Sequence, residues 1–203
     1  AIKSNTYPWA NYYYATYKSA KKDYYGAIKQ LKIGDPFDPK TNQGAVVSED
    51  HMKKVLACID LAKEEGGTII AGGNRVVLEG DLADGYYIEP TIIEGLPFDC
   101  RTNQEEIFGP VVTIAPFKTE EEVIKYANST LYGLASCIWT ENLTKAHRLA
   151  ASLETGIVWI NCWLVRDLRT PFGGVKNSGV GREGGFEALH FFTEPQNICV
   201  KIQ

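Results

Sequence analysis

The stretch TPFGGVKNSGVGREGG, Thr170 to Gly185, and the arm GIVWINCWLVRDLR that leads into it, Gly156 to Arg169, decide how this chain folds. Six of the sixteen residues in the first stretch are glycine, and a compact β-branched run opens the second. Glycine suits positions where φ is positive or where a ligand or another segment comes too close for a Cβ. Because a loop of this length usually carries function, the pattern predicts a strand that ends in an ordered binding loop.

Three glycines of this loop, Gly179, Gly181 and Gly184, fit the pattern G-x-G-x-x-G. That fingerprint of dinucleotide binding requires a strand just before it, a helix and a second strand after it, and an acidic residue about 20 residues further on. Here PFGGVKNS precedes the pattern, and only 19 residues follow Gly184. No βαβ unit fits into that space, so the sequence argues against dinucleotide binding by these glycines.

Strand and helix patterns alternate through the second half of the chain. VVTIAPF, LASCIWT and GIVWIN are typical of strands, and TEEEVIKYANST and NLTKAHRLAASLETG are typical of helices, the second closing at Gly156. Thr119 and Glu122 form a capping box at the start of the first helix. This alternation with short connections predicts a parallel sheet with crossover helices, an α/β fold. Ligands of such sheets gather at the carboxyl ends of the strands, and NCWLVRDLR leaves such an end.

The first half of the chain and its tail follow less uniform patterns. SEDHMKKVLACIDLAKEEGG predicts an amphipathic helix that Ser48 caps and that ends at Gly66-Gly67. TIIAGG and YYIEPTIIEG predict short strands, whereas FDCRTNQEEIFGP is too irregular for a helix or a strand. After a short helix near Phe186 to Phe192, EPQNICVKI alternates apolar and polar residues, which predicts a separate strand that pairs with another subunit. A helix is also expected from about Ala15, with one face formed by Tyr17, Tyr24, Ile28 and Leu31.

Composition narrows the class of protein. With 203 residues, 44% of them hydrophobic, the chain is long enough to bury a sizeable core. Its 21 basic and 25 acidic residues are interspersed and give a net charge of −4, which argues against a nucleic-acid partner. The five cysteines are scattered without a C-x-x-C pair, so neither disulfides nor a metal site is indicated. Without a signal peptide or a long apolar run, the sequence predicts a soluble cytoplasmic protein that does not enter the membrane.

The segment EEIFGP, Glu105 to Pro110, places a carboxylate and an aromatic ring two residues apart. If the segment is extended, Glu106 and Phe108 lie on the same side, because side chains of an extended chain alternate with period two. Such a carboxylate accepts two hydrogen bonds from a ribose diol, and the ring packs against a flat heterocycle. The alternative is a turn closed by Gly109-Pro110, which leaves the glutamates in solvent.

Two arginines, Arg166 and Arg169, follow the predicted strand end. The rigid fork of arginine matches a carboxylate bidentately, so each arginine is a candidate anchor for an anionic ligand. The alternative is solvation or pairing with Asp167, which lies between them. Phe172, further along the same loop, is a candidate core residue. Cys162 is interpreted as a packed, inert thiol, because a reactive thiol needs a nearby cation or helix N-terminus and a base.

Taken whole, NCWLVRDLRTPFGGVKNSGVGREGG resembles the C-terminal signature of the aldehyde dehydrogenase superfamily, and EEIFGP matches that superfamily's other C-terminal hallmark. The resemblance runs from about Leu31 to Ile202. It implies the α/β fold of the superfamily's catalytic domain, a parallel three-layer sheet with a C-terminal oligomerisation strand. It divides the chain into a divergent N-terminal segment, 1–30, a catalytic-type domain, 31–190, and an oligomerisation tail, 191–203, which implies a homo-oligomer.

The resemblance also implies roles for single residues. In the superfamily, the residues that match Glu106 and Phe108 hold the nicotinamide ribose and ring of NAD, and the loop that carries Arg166 and Phe172 lines the aldehyde tunnel. The wording NCWLVRDLRTPFGG is most similar to the subgroup that acts on 2-hydroxymuconic and 2-aminomuconic semialdehydes. We therefore expect part of an NAD-dependent enzyme that oxidises an acidic semialdehyde to its carboxylic acid.

The resemblance places the catalytic residues elsewhere. The superfamily's nucleophile, a cysteine in a G-Q-x-C segment, is expected near Lys3 to Asn5, where the chain has neither a cysteine nor G-Q. The glutamate base and the nucleotide-binding half are expected further upstream. The 203-residue chain alone is therefore predicted to be inactive. The alternative function is that of a catalytically inactive, truncated relative that acts as a binding or assembly module.

Overall fold

The computed structural model of the chain describes residues 30–202 together with Gly26 and Ile28. The chain divides into two compact units, 1–118 and 119–203. Most of the helix expected from about Ala15, including Tyr17 and Tyr24, lies outside the described residues, and Gly26 and Ile28 are helical. The position expected for a nucleophile near Lys3 to Asn5 also lies outside them.

The first unit is built on one amphipathic helix, α1, Glu49–Glu64. It begins where predicted, because the Ser48 hydroxyl accepts a hydrogen bond from the His51 amide at 3.2 Å. Its buried face is a single stripe of apolar residues at helical spacing: Met52, Val55, Ile59 and Ala62. The helix ends at Glu64, and Gly66, two residues on, has a φ of 92° in the left-handed region that glycine tolerates best.

A small mixed sheet supplies the other side of this core. Its strands are β1, Thr68–Ala71, β4, Thr91–Glu94, and β5, Val111–Ile114. The strand β4 is central, antiparallel to β1 and parallel to β5, with Thr91 opposite Val111. A second, two-stranded antiparallel sheet pairs β2, Arg75–Val76, with β3, Tyr87–Ile88. The strands predicted in TIIAGG and YYIEPTIIEG are therefore confirmed.

The segment predicted to be irregular contains one short helix, α2, Arg101–Gln104. Its first amides are satisfied from a distant residue: the Glu65 carboxylate accepts hydrogen bonds from the amides of Arg101 at 2.9 Å and Thr102 at 3.0 Å. The Thr102 hydroxyl donates to the same carboxylate at 2.5 Å. These bonds, with that hydroxyl the strongest contributor, hold the pKa of Glu65 below its usual range. The sequence pattern missed α2 because its cap lies 36 residues away in the chain.

The second unit contains the alternation of strands and helices that the sequence predicts. The helix α3, Glu120–Asn128, starts behind Thr119, whose hydroxyl accepts a hydrogen bond from the Glu122 amide at 3.2 Å. It is followed by β7, Ala135–Ile138, α4, Leu143–Ser152, and β8, Ile157–Ile160. The strands β7 and β8 are parallel, with Cys137 opposite Trp159. The chain thus has the predicted α/β fold, with parallel pairing in both units.

The helix α4 ends at Ser152, earlier than the predicted end at Gly156. The side chain of Asn128 stops it: its amide donates to the Ser152 carbonyl at 2.8 Å, and its oxygen accepts from the Glu154 amide at 2.8 Å. One amide side chain thereby satisfies the last carbonyl of α4 and the amide of the second residue beyond it. This contact couples residues 24 and 26 positions apart, so a local pattern does not contain it.

The glycine-rich stretch lies between two further elements. Tyr132–Gly133, β6, pairs antiparallel with Val175–Lys176, β9, and the predicted short helix is confirmed as α5, Gly185–Phe192. Residues 193–202 form no strand within this chain and are exposed. Among the described residues, no helix is both long enough and apolar enough to cross a membrane.

Candidate functional site

The segment Glu105 to Pro110 is held in the first unit by apolar packing. Ile107 packs against the core formed by Met52, Val55, Ile59 and Ile88. At Gly109 the backbone approaches that core so closely that an added Cβ would come within 2.7 Å of a Val55 methyl group. The neighbours Glu106 and Phe108 are exposed, with 74% of Phe108 accessible to solvent. Burial of Ile107 therefore fixes the segment and leaves both predicted cofactor-binding side chains at the surface.

The argument that Glu106 and Phe108 lie on the same side requires an extended backbone, and this segment is not extended throughout. Phe108 has a φ of 58°, in the left-handed region, so the condition of an extended segment is not met at this residue. The carbonyl of Phe108 lies 2.7 Å from Nε2 of His51, and the two rings meet edge to face with centroids 6.2 Å apart. Lys54, one turn further along α1, donates to the Glu106 carbonyl at 3.5 Å. The first turns of α1 therefore support the unusual backbone.

The Glu106 carboxylate makes no hydrogen bond or ion pair with any residue between 30 and 202. All its acceptor positions are thus available to a ligand, and a carboxylate is an acceptor-only group with room for two donors on each oxygen. An exposed ring with a free face two residues on is suited to stacking on a flat heterocycle. The roles of Glu106 and Phe108 in holding a nucleotide cofactor stay predictions.

The loop that follows β8 in the second unit is held by hydrogen bonds. The Asn161 side chain bonds reciprocally to the backbone of Thr140, accepting from its amide and donating to its carbonyl, both at 2.8 Å. The Cys137 thiol donates to the Cys162 carbonyl at 2.9 Å. The Trp159 indole donates to the Val165 carbonyl at 2.9 Å. These hydrogen bonds fix the path of the backbone from the end of β8 to Arg166.

The two cysteines beside this loop differ in environment. Burial raises the pKa of the Cys137 thiol to about 11, so this thiol stays protonated and remains a hydrogen-bond donor at neutral pH. Cys162 is half-buried and contributes its carbonyl to the bond described above. The interpretation of Cys162 as an inert thiol stays a prediction.

The predicted substrate-binding residues Arg166 and Phe172 are brought together. The Arg166 guanidinium lies over the Phe172 ring, with its central carbon 4.0 Å from the ring centroid. Nη2 of Arg166 also donates to the Glu183 carboxylate at 2.5 Å. Glu183 is joined to Phe172 by two backbone hydrogen bonds of 2.8 Å, which form an isolated antiparallel bridge. Arg166, Phe172 and Glu183 therefore form one cluster, which we call the arginine cluster.

Pairing with Asp167 is the alternative to ligand binding for both arginines, and it holds for Arg169 only. Arg169 binds Asp167 through Nε and Nη2, with Nε 2.9 Å from Oδ1. This pairing holds the pKa of Asp167 below its usual range. Arg166 points to a different partner, and its Nε and Nη1 make no hydrogen bond within the described part of the chain. Sequence reasoning missed Glu183, because nothing in GREGG indicates which of the distant arginines its carboxylate meets.

The glycine-rich stretch forms one wall of a cavity of about 310 Å³ in the second unit. The apolar part of its lining comes from Leu134, Phe172, Val180, Phe191 and Phe192, and Glu183 adds a carboxylate. Nη1 of Arg182 ties the loop together by donating to the carbonyls of Gly174 at 2.9 Å and Gly181 at 2.7 Å. The predicted ordered excursion is confirmed, and one edge of the arginine cluster lines the cavity.

The chain is similar in sequence to known proteins of one family. The model of the aldehyde dehydrogenase family matches residues 15–198. The 2-hydroxymuconic semialdehyde dehydrogenase of Pseudomonas sp. strain CF600 is 51% identical over 174 residues, which are 86% of this chain and 36% of that protein. The human 2-aminomuconic semialdehyde dehydrogenase is 42% identical over 187 residues, 91% of this chain and 38% of that protein.

A solved structure is similar as well. The betaine aldehyde dehydrogenase of Staphylococcus aureus, in complex with NAD+, superposes with a TM-score of 0.80 at 38% identity over 92% of this chain and 39% of that one. The chain thus spans a little over a third of the length of the relatives it matches. With 184 of its 203 residues, 15 to 198, inside the family match, the chain belongs to the aldehyde dehydrogenase family.

Proposed function

We propose that the chain is part of an NAD-dependent aldehyde dehydrogenase that oxidises an acidic semialdehyde of the muconic type to the carboxylic acid. The observation that carries the proposal is the arginine cluster, in which a guanidinium lies on an aromatic ring with two of its three nitrogens unbonded within the described residues. The likeness to 2-hydroxymuconic and 2-aminomuconic semialdehyde dehydrogenases supports the choice of substrate.

The geometry of Arg166 suits a substrate carboxylate. A guanidinium presents its N–H groups in a planar fork that matches the two oxygens of a carboxylate. Both forked edges of the guanidinium, Nε with Nη2 and Nη1 with Nη2, include Nη2, which carries two N–H groups. Only one bond joins Nη2 to Glu183, so the second N–H of Nη2 still forms a fork with Nε or Nη1. The ion pair with Glu183 is largely exposed, and exposed pairs typically stabilise a protein by only about 0–1 kcal/mol. A substrate carboxylate therefore competes with Glu183 at little energetic cost, while Phe172 packs beside the unsaturated carbon chain.

The cofactor is assigned to the first unit as part of the same proposal. Glu106 offers an uncommitted carboxylate for the hydroxyl groups of a ribose, and Phe108 offers an exposed ring for the nicotinamide. NAD, when bound, accepts the hydride that leaves the aldehyde carbon. The role of this chain is to orient the cofactor through Glu106 and Phe108, whose positions depend on Ile107 and His51.

A second candidate role is assembly, and the exposed tail favours it. Ile198, Val200 and Ile202 alternate with polar or small residues and are at least 75% exposed. Such a row of apolar side chains with unpaired backbone groups is a template for strand addition. We propose that residues 193–202 pair with a second copy of the chain, either in the active enzyme or in an inactive relative that only binds or assembles. The proposal also includes a cytoplasmic location, because the five described cysteines are all free thiols.

Substitution of tail residues tests assembly. Val200→Lys should shift the protein that carries this chain toward smaller species, because a charge on an apolar strand face prevents close pairing. Analytical ultracentrifugation over a range of concentrations measures the shift, with Lys201→Ala on the alternate side of the tail as control. An unchanged sedimentation profile for Val200→Lys contradicts the assignment of the tail to assembly.

Substitution of Arg166 tests the substrate proposal in the protein that carries this chain. Arg166→Ala should lower kcat/KM for 2-hydroxymuconic semialdehyde roughly ten- to a hundredfold, because a hydrogen bond to a charged group contributes about 1.5–3 kcal/mol. The neutral six-carbon aldehyde 2,4-hexadienal should react almost as before. Arg166→Lys should restore part of the loss, since a point charge replaces the charge but not the fork.

Arg169→Ala is the matched control, because Arg169 is exposed and already bound to Asp167 on both sides of its fork. It should leave both aldehydes nearly unaffected. Equal losses for the acidic and the neutral aldehyde in Arg166→Ala would show that the arginine only holds the loop together. No turnover of either aldehyde by the wild-type protein would favour the inactive relative.

A further inference from the structure

Two side chains of the parallel strands donate to the loop that carries Arg166. Cys137 of β7 and Trp159 of β8 are opposite each other in the strand register. The thiol of Cys137 donates to the Cys162 carbonyl, and the indole of Trp159 donates to the Val165 carbonyl, each at 2.9 Å. One pair of facing strand residues thus fixes the loop at two carbonyls, three residues apart.

The bond from Trp159 holds the residue directly before Arg166. Trp159 is only 8% exposed, so its ring is fixed by the fold and its N–H has a defined direction. Trp163, within the loop, meets the Trp159 ring edge to face with centroids 5.0 Å apart. Leu164 adopts a φ of 54°, and Leu164 and Val165 are both mainly exposed. Because these two residues gain little from burial and one is in a strained conformation, specific bonds must hold the loop.

We infer that Trp159 is a positioning residue for substrate selectivity, acting through the Val165 carbonyl on the direction of Arg166. The inference rests on the proposed role of Arg166 as the reader of the substrate carboxylate. The indole N–H fixes Val165, the guanidinium one residue on extends over Phe172, and Nε and Nη1 remain available for the ligand. Without the bond, the 162–165 segment samples other conformations and the fork of Arg166 is no longer aimed at one place.

Trp159→Phe tests this assignment in the protein that carries this chain, because it removes the N–H and keeps an aromatic ring. We expect kcat/KM for 2-hydroxymuconic semialdehyde to fall about three- to tenfold, the range for loss of one hydrogen bond. The rate with 2,4-hexadienal should stay within about twofold. In the background of Arg166→Ala, the same substitution should change the ratio of the two rates by less than about twofold, since interacting residues are not additive.

Two outcomes separate the inference from the proposed function. If Arg166→Ala leaves the ratio of acidic to neutral aldehyde unchanged, the proposed function fails and the inference fails with it. If Arg166→Ala changes the ratio but Trp159→Phe does not, or if Trp159→Phe lowers both rates equally, only the inference is overturned.

A second pair of variants keeps the test decisive if Trp159→Phe does not fold. Cys137→Ala removes the donor to the Cys162 carbonyl, and Cys137→Ser replaces it with a stronger donor of similar size. The alanine variant should lower the ratio of acidic to neutral rates about twofold or more, and the serine variant should restore it. Equal ratios in the alanine variant, the serine variant and the wild type would overturn the positioning role of the strand pair.

Discussion

The two segments that carry the predicted binding residues are held in different ways. Glu105 to Pro110 is anchored mainly by packing of Ile107 against a fully developed core, with hydrogen bonds from His51 and Lys54 to its carbonyls. The loop from Asn161 to Arg166 buries little and is anchored by hydrogen bonds of the Asn161, Cys137 and Trp159 side chains. Packing tolerates small displacements, because it has no preferred direction. Hydrogen bonds fix both distance and direction.

The difference follows from where the chain places its buried residues. Among the described residues, nine of the eleven buried hydrophobic residues lie between Met52 and Leu96, and the other two, Ala146 and Trp159, lie in the second unit. Of the 21 large hydrophobic residues that are exposed in the same part of the chain, sixteen lie between Leu131 and Ile202. The first unit therefore has apolar burial available for holding a segment, whereas the second must position its loop by polar contacts.

The largest expected effect separates the two kinds of anchoring. Ile59→Ala should lower the free energy of unfolding of the first unit by about 2–5 kcal/mol, since Ile59 is completely buried in the core behind Ile107. Leu168→Ala in the second unit should change stability by less than about 0.5 kcal/mol, because 74% of Leu168 is exposed. Urea unfolding followed by hydrogen exchange of peptides from each unit measures both. Comparable losses would mean that Leu168 is covered in the assembled protein.

An intermediate effect is expected where a charged side chain ties the glycine-rich loop together. Arg182→Met keeps the length of the side chain but removes both donors to the carbonyls of Gly174 and Gly181. We expect a loss of about 1.5–3 kcal/mol and faster hydrogen exchange in 170–185. Arg75→Met is the matched control, because Arg75 is exposed on a two-residue strand. A loop that exchanges no faster in Arg182→Met would show that its shape depends on packing after all.

The smallest expected change in stability concerns Glu65, whose carboxylate holds the first turn of α2 in the first unit. This change depends on pH. The folded-state pKa of Glu65 lies below its ordinary value of 4.5, first because of the Thr102 hydroxyl and then because of the amides of Thr102 and Arg101. A lowered folded-state pKa stabilises the fold above the ordinary pKa, and this stabilisation is lost as the pH falls through the folded-state pKa. Glu65→Gln should therefore destabilise the unit at pH 7 by about 1–2 kcal/mol.

The difference between Glu65→Gln and the wild type should shrink as the pH falls below 4.5, because the protonated carboxyl then resembles the amide. Urea unfolding at a series of pH values measures it. Glu64→Gln, on the exposed side of the same helix end, should show no such trend. A difference that is constant with pH would assign the effect to shape instead of charge.

The sequence predicts those features that repeat locally. The stripe Met52, Val55, Ile59 and Ala62 recurs at helical spacing, and Ser48 and Thr119 stand directly before the helices they cap. These elements, the short strands and the α/β class were predicted from such patterns and are confirmed. The sequence leaves open whether the chain is extended at Phe108, because a local pattern does not reveal a single left-handed residue.

The remaining features depend on partners far apart in sequence. Glu65 caps α2 from 36 residues away, Asn128 ends α4, and Glu183 reaches Arg166 across 17 residues. Each contact involves one polar group and leaves no periodic trace. The meeting of Arg166 and Phe172 was anticipated only in that both were assigned to one loop. Their roles, like those of Glu106 and Phe108, stay predictions.

At Phe108, the left-handed backbone lowers the stability of the fold, while the exposed ring has a proposed function. Glycine adopts this conformation freely, and asparagine does so more readily than a bulky residue. Phenylalanine does not, and a non-glycine residue held there raises the energy of the folded protein by about 1–3 kcal/mol. Selection for a robust fold alone would replace the ring. The conformation therefore lowers stability at a residue whose exposed ring we propose to bind the cofactor.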